Sequence, residues 1–355
     1  MARPSTALRR LQDYSTQALL LQTLIAASLG GALFAWAGFP AAWISGGMIG
    51  AGVLAMWRGQ AAVPAPLRSV CFVALGFTLG TKVTPETFGT LALWPLSLLV
   101  LAVSVGATIF SIRFYLRRVY GWDRMTATLS AIPGTFSYIL LMSIKLQADT
   151  SRVAVMQVTR MVVLAAVLPS IIIAVEPTAA VTNPGVGTAT DGWLETILAV
   201  LACGSIGYLV ERAGMTAGTL VGTMIGSVAL HGAGLTTAVI PNIVLIPCFV
   251  GIGAFIGVRL GGLSLREILR TLVPGVVAMV IGIAIAAVFA LLGAYWLELP
   301  VALLLLAYAP GGIDVMAVLA LSLDLDPTFV AAHGVLRFVG LSLLLPLWVR
   351  RVERY

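Results

Sequence analysis

Charge is what this sequence has least of. Lysine, arginine, aspartate and glutamate make up 10% of its 355 residues, against about 25% in an average soluble domain. A chain so poor in charge cannot cover a soluble surface, which excludes a soluble enzyme or a DNA-binding domain and removes nucleic acid from the expected partners. Histidine is nearly missing: His231 and His333 are the only two, too few for a copper or di-iron oxygenase site built on imidazole. The three cysteines, Cys71, Cys203 and Cys248, lie inside apolar runs without the close spacing of a metal site, and read as buried small hydrophobes. No metal, no cofactor and no enzymatic activity are therefore expected. No small-residue cleavage site closes the first apolar stretch, which starts near Ala18, so a retained first helix is expected rather than a signal peptide.

What is present is apolar. Sixty per cent of the residues are hydrophobic, and runs near the length needed to cross a bilayer recur along the chain. They fall at about 17–38, 41–57, 67–81, 88–112, 125–144 and 153–175, then at 196–211, 215–231, 238–258, 271–295, 300–322 and 329–349, with a polar stretch from Glu176 to Glu195 between the two sets. This is the pattern of an all-α polytopic membrane protein with membrane lipid as its surroundings. The net charge of +7 is then a matter of orientation, because lysine and arginine are retained on the cytoplasmic side.

The two sets of runs are copies. Pro133–Gly134 matches Pro310–Gly311 at an offset of 177, and twelve of the 37 pairs from there to Pro169 and Pro346 are identical, including Asp149/Asp326 and Arg160/Arg337. The segment 71–82 repeats in 248–259 at the same offset, with Cys71/Cys248, Gly76/Gly253 and Gly80/Gly257 coinciding and Lys82 facing Arg259. Shared Pro-Gly, Cys, Arg and Pro on one register mark an internal duplication. The chain divides into a first membrane repeat at 1–176, an external connecting loop at 177–195 and a second membrane repeat at 196–355.

Basic residues decide which way each copy faces. If every run crossed, 12 would fall inside and 7 outside, leaving out Arg160 and Arg337. If the Pro-Gly segment of each half enters and leaves on one side, the division becomes 18 to 1, with only Lys82 outside, as the positive-inside rule asks. The expectation is two inverted repeats of about five transmembrane helices each, with a broken or re-entrant Pro-Gly segment per repeat and both termini cytoplasmic. Trp36, Trp57, Trp193, Trp296 and Trp348 sit near run ends, where interfacial anchors belong.

Inverted repeats with interrupted helices are the architecture of secondary transporters, whose sites lie at the breaks. An interrupted backbone is tolerated inside a bilayer only where it is buried in protein or lines a cavity. The candidate substrate site is therefore Pro133, Gly134, Thr135, Ser137 and Tyr138 in one half and Pro310, Gly311, Gly312 and Asp314 in the other. Asp314 is the one acid well inside an apolar run. Its expected role is to hold a coupling cation or proton, with capping of the following half-helix as the plainer alternative. Arg160 and Arg337 lie about 12 Å into their helices. They are positioned to clamp a carboxylate, to pair with Asp314 or to cap the carbonyls of the broken segment, with snorkelling to the interface as the ordinary alternative. His333, one turn before Arg337, is a candidate proton relay, and Gln157 is a polar neighbour of Arg160. Gly30, Gly31, Gly46, Gly47, Gly50, Gly218, Gly222 and Gly226 read as close-packing positions; the Gly222–Gly226 pair serves either packing within the subunit or a homodimer.

Glycine-rich early helices and a Pro-Gly followed by a deep Arg and a Pro, all present twice, resemble the membrane protein AbrB family over nearly the whole chain. Its members carry labels of transcriptional regulation or of ammonia monooxygenase activity; the second is at odds with the missing metal ligands. The resemblance places the chain near cation/proton antiporters and bile-acid symporter-like transporters and implies a bacterial inner membrane. The expected function is transport of a small, anionic solute coupled to H⁺ or Na⁺. A membrane sensor that affects gene expression indirectly is the alternative.

Overall fold

The computed structural model describes residues 6–39, 41–59, 63–81, 94–133, 136–176, 192–215, 218–261, 263 and 265–352. Every regular element among them is helical. In chain order these are α1 (Thr6–Trp36), α2 (Ala42–Arg58), α3 (Ala65–Gly80), α4 (Trp94–Tyr120), α5 (Arg124–Ala131), α6 (Phe136–Lys145), α7 (Thr150–Val175), α8 (Trp193–Arg212), α9 (Gly218–Gly232), α10 (Asn242–Gly257), α11 (Leu265–Leu297), α12 (Val301–Tyr308), α13 (Ile313–Ser322) and α14 (Pro327–Val352). A 3₁₀ turn, Val258–Leu260, follows α10.

The 177-residue offset reappears in the helix boundaries. It relates α3 to α10, α5 to α12, α6 to α13 and α7 to α14 end for end. Ten of the described helices have 15 residues or more, and four (α5, α6, α12 and α13) have 8 or 10. Six helices, in α1, α4, α7, α8, α10 with its 3₁₀ turn, and α11, are long and apolar enough to cross a membrane. The remaining long ones include α2, α3 and α9, with 17, 16 and 15 residues. At 1.5 Å per residue these rise only about 22–26 Å, short of a 30 Å hydrocarbon core.

The helices sort into two groups. In the first, α2 packs on α1 and α10, α9 packs on α8 and α3, and α3 meets α10. In the second, α11 packs on α4, α7 and α12, and α14 packs on α13 and α12. Glycine makes the first group tight: a Cβ at Gly46 would overlap the Gly30 carbonyl, and a Cβ at Gly253 would sit 2.5 Å from the Ile44 carbonyl. Gly222 and Gly226 face Gly207, Ile206 and Cys203 of α8 in the same chain, so this small-residue face is spent on packing within the subunit. Serine hydroxyls add to the packing: Ser227 donates to Phe77 O at 2.7 Å within this group, and Ser45 donates across to Ala165 O of α7, in the second group, at 2.9 Å.

The outer faces carry long apolar side chains. Leu21, Leu29 and Leu33 of α1, Leu99 and Phe110 of α4, Leu198 and Leu201 of α8 and Val273 and Leu291 of α11 are all exposed. Water would oppose so extensive an apolar surface and lipid would not. The chain is a helical membrane protein.

Candidate functional site

The site begins where proline removes a hydrogen-bond donor. The helix α5 starts from Asp123, whose carboxylate accepts Thr126 N–H at 2.8 Å, and ends at Ala131, with Ile132 extended and its N–H on Thr128 O. The residue due to donate next along the ladder, to Leu129 O, is Pro133, which has no N–H. Gln157 of α7 supplies the missing donor: its Nε2 lies 3.0 Å from Leu129 O and 3.2 Å from Ile132 O. Arg160, one turn further along α7, donates from one terminal nitrogen to Ile132 O at 3.1 Å and from the other to the Gln157 side-chain oxygen.

The second half repeats the device. Helix α12 ends at Tyr308 and α13 starts at Ile313. Arg337 of α14 donates from its two terminal nitrogens to Ala309 O and Gly311 O, both at 2.6 Å. Ala309 is the repeat equivalent of Ile132, so equivalent arginines hold equivalent carbonyls. A guanidinium at the C-terminal end of a half-helix also faces the negative pole of the helix dipole. Gly334 replaces Gln157 in this half, and the second carbonyl that Arg337 holds is Gly311 O rather than the Leu129 equivalent, Leu306 O.

Among the described contacts both arginines cap carbonyls at the breaks. Snorkelling is absent, because Arg160 and Arg337 are 2% and 7% exposed. Each is a buried cation without an ion pair among the described residues. Partial charges at helix ends offset a full charge incompletely. Arg160 Nε, Thr128 Oγ1 and Ser130 Oγ are moreover buried without a hydrogen-bond partner among the described residues. Among the described residues the first break thus combines incompletely compensated positive charge with spare donors.

His333 is fully buried and reaches α4. Its Nδ1 lies 2.8 Å from Phe329 O and its Nε2 lies 2.9 Å from Ser97 Oγ. Ser97 Oγ lies 2.9 Å from the Tyr308 hydroxyl, which is also 3.2 Å from Ser97 O. The ring stacks on Phe329 at 3.9 Å and meets Trp94 at 5.9 Å.

The structure thus brings Gln157, Arg160 and the peptide before Pro133 together, and Arg337 with the Ala309–Pro310–Gly311 peptides. Pro310 packs toward Gly282 of α11, where a Cβ would come within 3.1 Å of its ring. Gly312 precedes α13 with extended backbone and accepts Met316 N–H at 3.0 Å. Ser137 and Tyr138 fall in the first turn of α6, and Asp314 in that of α13; their side chains lie outside the described residues. So do Gly134 and Thr135, and residues 177–191 of the connecting loop.

Three residues at the site escaped the sequence. Ser97 and Tyr308 join His333 across α4, α12 and α14. Arg259, which charge placement assigned to the cytoplasmic edge, lies over Phe136 at the start of α6, 5.1 Å from the ring centroid, with a terminal nitrogen 3.2 Å from Met161 Sδ. A signal existed for the first two. His333, Tyr308 and Ser97 correspond to Met156, Ala131 and Pro274 in the other copy, so each is a position where the repeats differ in polarity.

A family model described as "Transition state regulatory protein AbrB" matches residues 43–353. A protein of Escherichia coli (strain K12) named as a regulator, AbrB, is 27% identical over 325 residues, covering 89% of this chain and 91% of its own length. "Uncharacterized protein YhjN" of Bacillus subtilis (strain 168) is 26% identical over 345 residues, covering 90% of each.

Proposed function

The chain belongs to the AbrB family, and from that premise we propose that it is a secondary transporter of a small anionic solute, coupled to H⁺ or Na⁺. In this reading each half of the chain is one of two inverted repeats in a bacterial inner membrane, with five crossings, a Pro-Gly break and a cytoplasmic terminus. The solute binds between the breaks, near Pro133, Gly134, Thr135, Ser137 and Tyr138 on one side and Pro310, Gly311, Gly312 and Asp314 on the other. Asp314 takes the coupling ion. Arg160, Arg337 and Gln157 hold the half-helix ends in place, and the two arginines present positive charge to the solute.

The observation that carries the reading is the pair of buried guanidiniums. Burying a charge is costly unless it is compensated, and duplicated arginines placed at both interruptions are a poor arrangement for a protein with no anion to bind. The half-helix N-termini of α6 and α13 add oriented N–H groups of the same preference.

Thermal unfolding of the purified protein against a panel of mono- and dicarboxylates, phosphate and sulfate tests the proposal. At least one anion is expected to raise the Tm, and Arg160→Lys and Arg337→Lys, which keep the charge but lose the forked donors, are expected to reduce that rise. An anion that stabilises both variants as fully as the parent removes the arginines from the site; stabilisation by no anion overturns the reading.

A second reading, regulation of gene expression, is favoured by the printed name of the Escherichia coli relative. For a helical membrane protein it would act indirectly, by moving or sensing a solute.

A further inference from the structure

We propose that His333, Ser97 and Tyr308 form a proton site, which makes the coupling ion H⁺ and gives it a second carrier, His333, in addition to Asp314. The proposal rests on the transport reading above and assigns a function to a cluster that the symmetric part of the site does not use.

The geometry fixes the chemistry. Phe329 O is a carbonyl and only accepts, so His333 Nδ1 carries a hydrogen and donates to it at 2.8 Å. In the neutral ring, Nε2 is then a bare lone pair, and the Ser97 hydroxyl 2.9 Å away donates to it. Tyr308, 2.9 Å from Ser97 Oγ and 3.2 Å from Ser97 O, donates to the serine. When a proton binds the Nε2 lone pair, one N–H bond forms and no other covalent bond changes. The new N–H donates to Ser97 Oγ, the serine hydroxyl turns to donate to the Tyr308 oxygen, and the tyrosine O–H donates to Ser97 O. Both protonation states leave every member satisfied, with no movement of heavy atoms. A histidine kept only for packing does not require two hydroxyls in series whose polarity reverses.

The surroundings join this site to the break. Tyr308 is the last residue of α12, and the next carbonyl, Ala309 O, is held by Arg337 at 2.6 Å. Arg337 lies one turn beyond His333 on α14. Other titratable groups on neighbouring elements are Asp314 in the first turn of α13 and Asp324 and Asp326 before α14, where Asp326 accepts Phe329 N–H at 3.1 Å. The end of α3 reaches Thr328 through Leu79 O, while its own Arg68 and Cys71 lie in its first half. A proton on His333 therefore adds positive charge beside the arginine at the second break, so proton and anion binding strengthen each other. The cluster occurs once, because Met156, Ala131 and Pro274 occupy the equivalent positions.

Two histidines in the whole chain make a direct test practical. Full-length protein labelled with ¹⁵N-histidine in lipid nanodiscs gives ring signals for His231 and His333, assigned with His333→Gln. His333 is expected to pass from the Nδ1–H tautomer to imidazolium within the range pH 4–8. Ser97→Ala and Tyr308→Phe are each expected to lower the imidazolium fraction at a given pH, moving the midpoint by about one pH unit, the scale of one hydrogen bond to a charged group. A His333 held in one protonation state throughout, or a midpoint that neither variant moves, overturns the proposal. The measurement needs no solute, so its failure is separable: a non-titrating His333 in a protein that carboxylates or phosphate still stabilise removes the proton role and leaves the transport reading standing.

Discussion

Arg337 donates to two carbonyls that have no other side-chain donor among the described contacts. Ala309 O also accepts the Gly311 N–H at 2.8 Å, so Arg337→Ala orphans one buried acceptor, Gly311 O, at about 1–3 kcal/mol, and weakens the other site. The expected result is a marked fall in Tm by thermal unfolding in detergent, with Arg337→Lys intermediate because an ammonium cannot reproduce the fork. Equal Tm values for Ala and Lys would show that the carbonyl bonds contribute nothing. Asp326, outside the membrane-spanning segments, carries a pH dependence. Burial pushes its carboxyl above the ordinary carboxylate value, against the pull of the Phe329 and Thr328 N–H groups. The folded protein then keeps this proton over a window in which the unfolded chain has lost it. Its contribution to stability is complete below the ordinary value and is lost as pH rises through the folded one. Asp326→Asn retains an acceptor at the helix start and removes the ionisation. The gain in Tm of this variant over the parent is expected to grow with pH across that window and then level off; a difference independent of pH contradicts it.

At the scale of elements, close approach and interruption do different work. The contact of α1 with α2 relies on Gly30 and Gly46, each lacking the Cβ that would strike the other's carbonyl. Gly46→Leu is expected to drive the two helices apart, seen as lost thermal stability and faster proteolysis of the purified protein. Gly106 in α4 has nothing within 4 Å of where its Cβ would be, so Gly106→Ala is expected to be neutral or stabilising by up to about 1 kcal/mol through helix propensity. If both variants behaved alike, the close packing would be irrelevant to stability. The breaks follow the opposite logic. Pro133 and Pro310 withhold an N–H, and side chains from the next long helix donate to carbonyls at each break, at the first including the one that Pro133 leaves open. Pro-Gly was visible in the sequence as an interruption, but nothing local announced which donor would satisfy Leu129 O, because Gln157 reaches it from 28 positions away.

For the whole molecule, the two helix groups each draw on both halves of the chain. Helices α2 and α3 pack on α10 and α9, and α4 and α7 pack on α11, so neither half is a separate body. In the proposed transporter, the broken helices move against the first group around the sites at the breaks. In that reading the inverted arrangement places the connecting loop outside the cell. Thr182→Cys is expected to react with an impermeant maleimide added to intact cells, the three native cysteines being buried. Labelling only in inverted vesicles overturns the topology.

Membrane class, helical content and internal duplication were determined by the sequence alone. Hydropathy and repeat offset are properties of neighbouring residues and of order along the chain, and both survive any arrangement of the helices. The importance of Arg160 and Arg337 was legible for the same reason, since a cation deep in an apolar run is costly wherever it ends up. What those arginines hold was decided only by tertiary structure. So was the chain from His333 through Ser97 to Tyr308, whose members are separated by up to 236 positions and lie on three different helices. A serine in an apolar run carries no local sign of its partner. Its hydrogen bond exists because packing brings α4, α12 and α14 together and, in a site closed to water, leaves each polar group only the others to satisfy it.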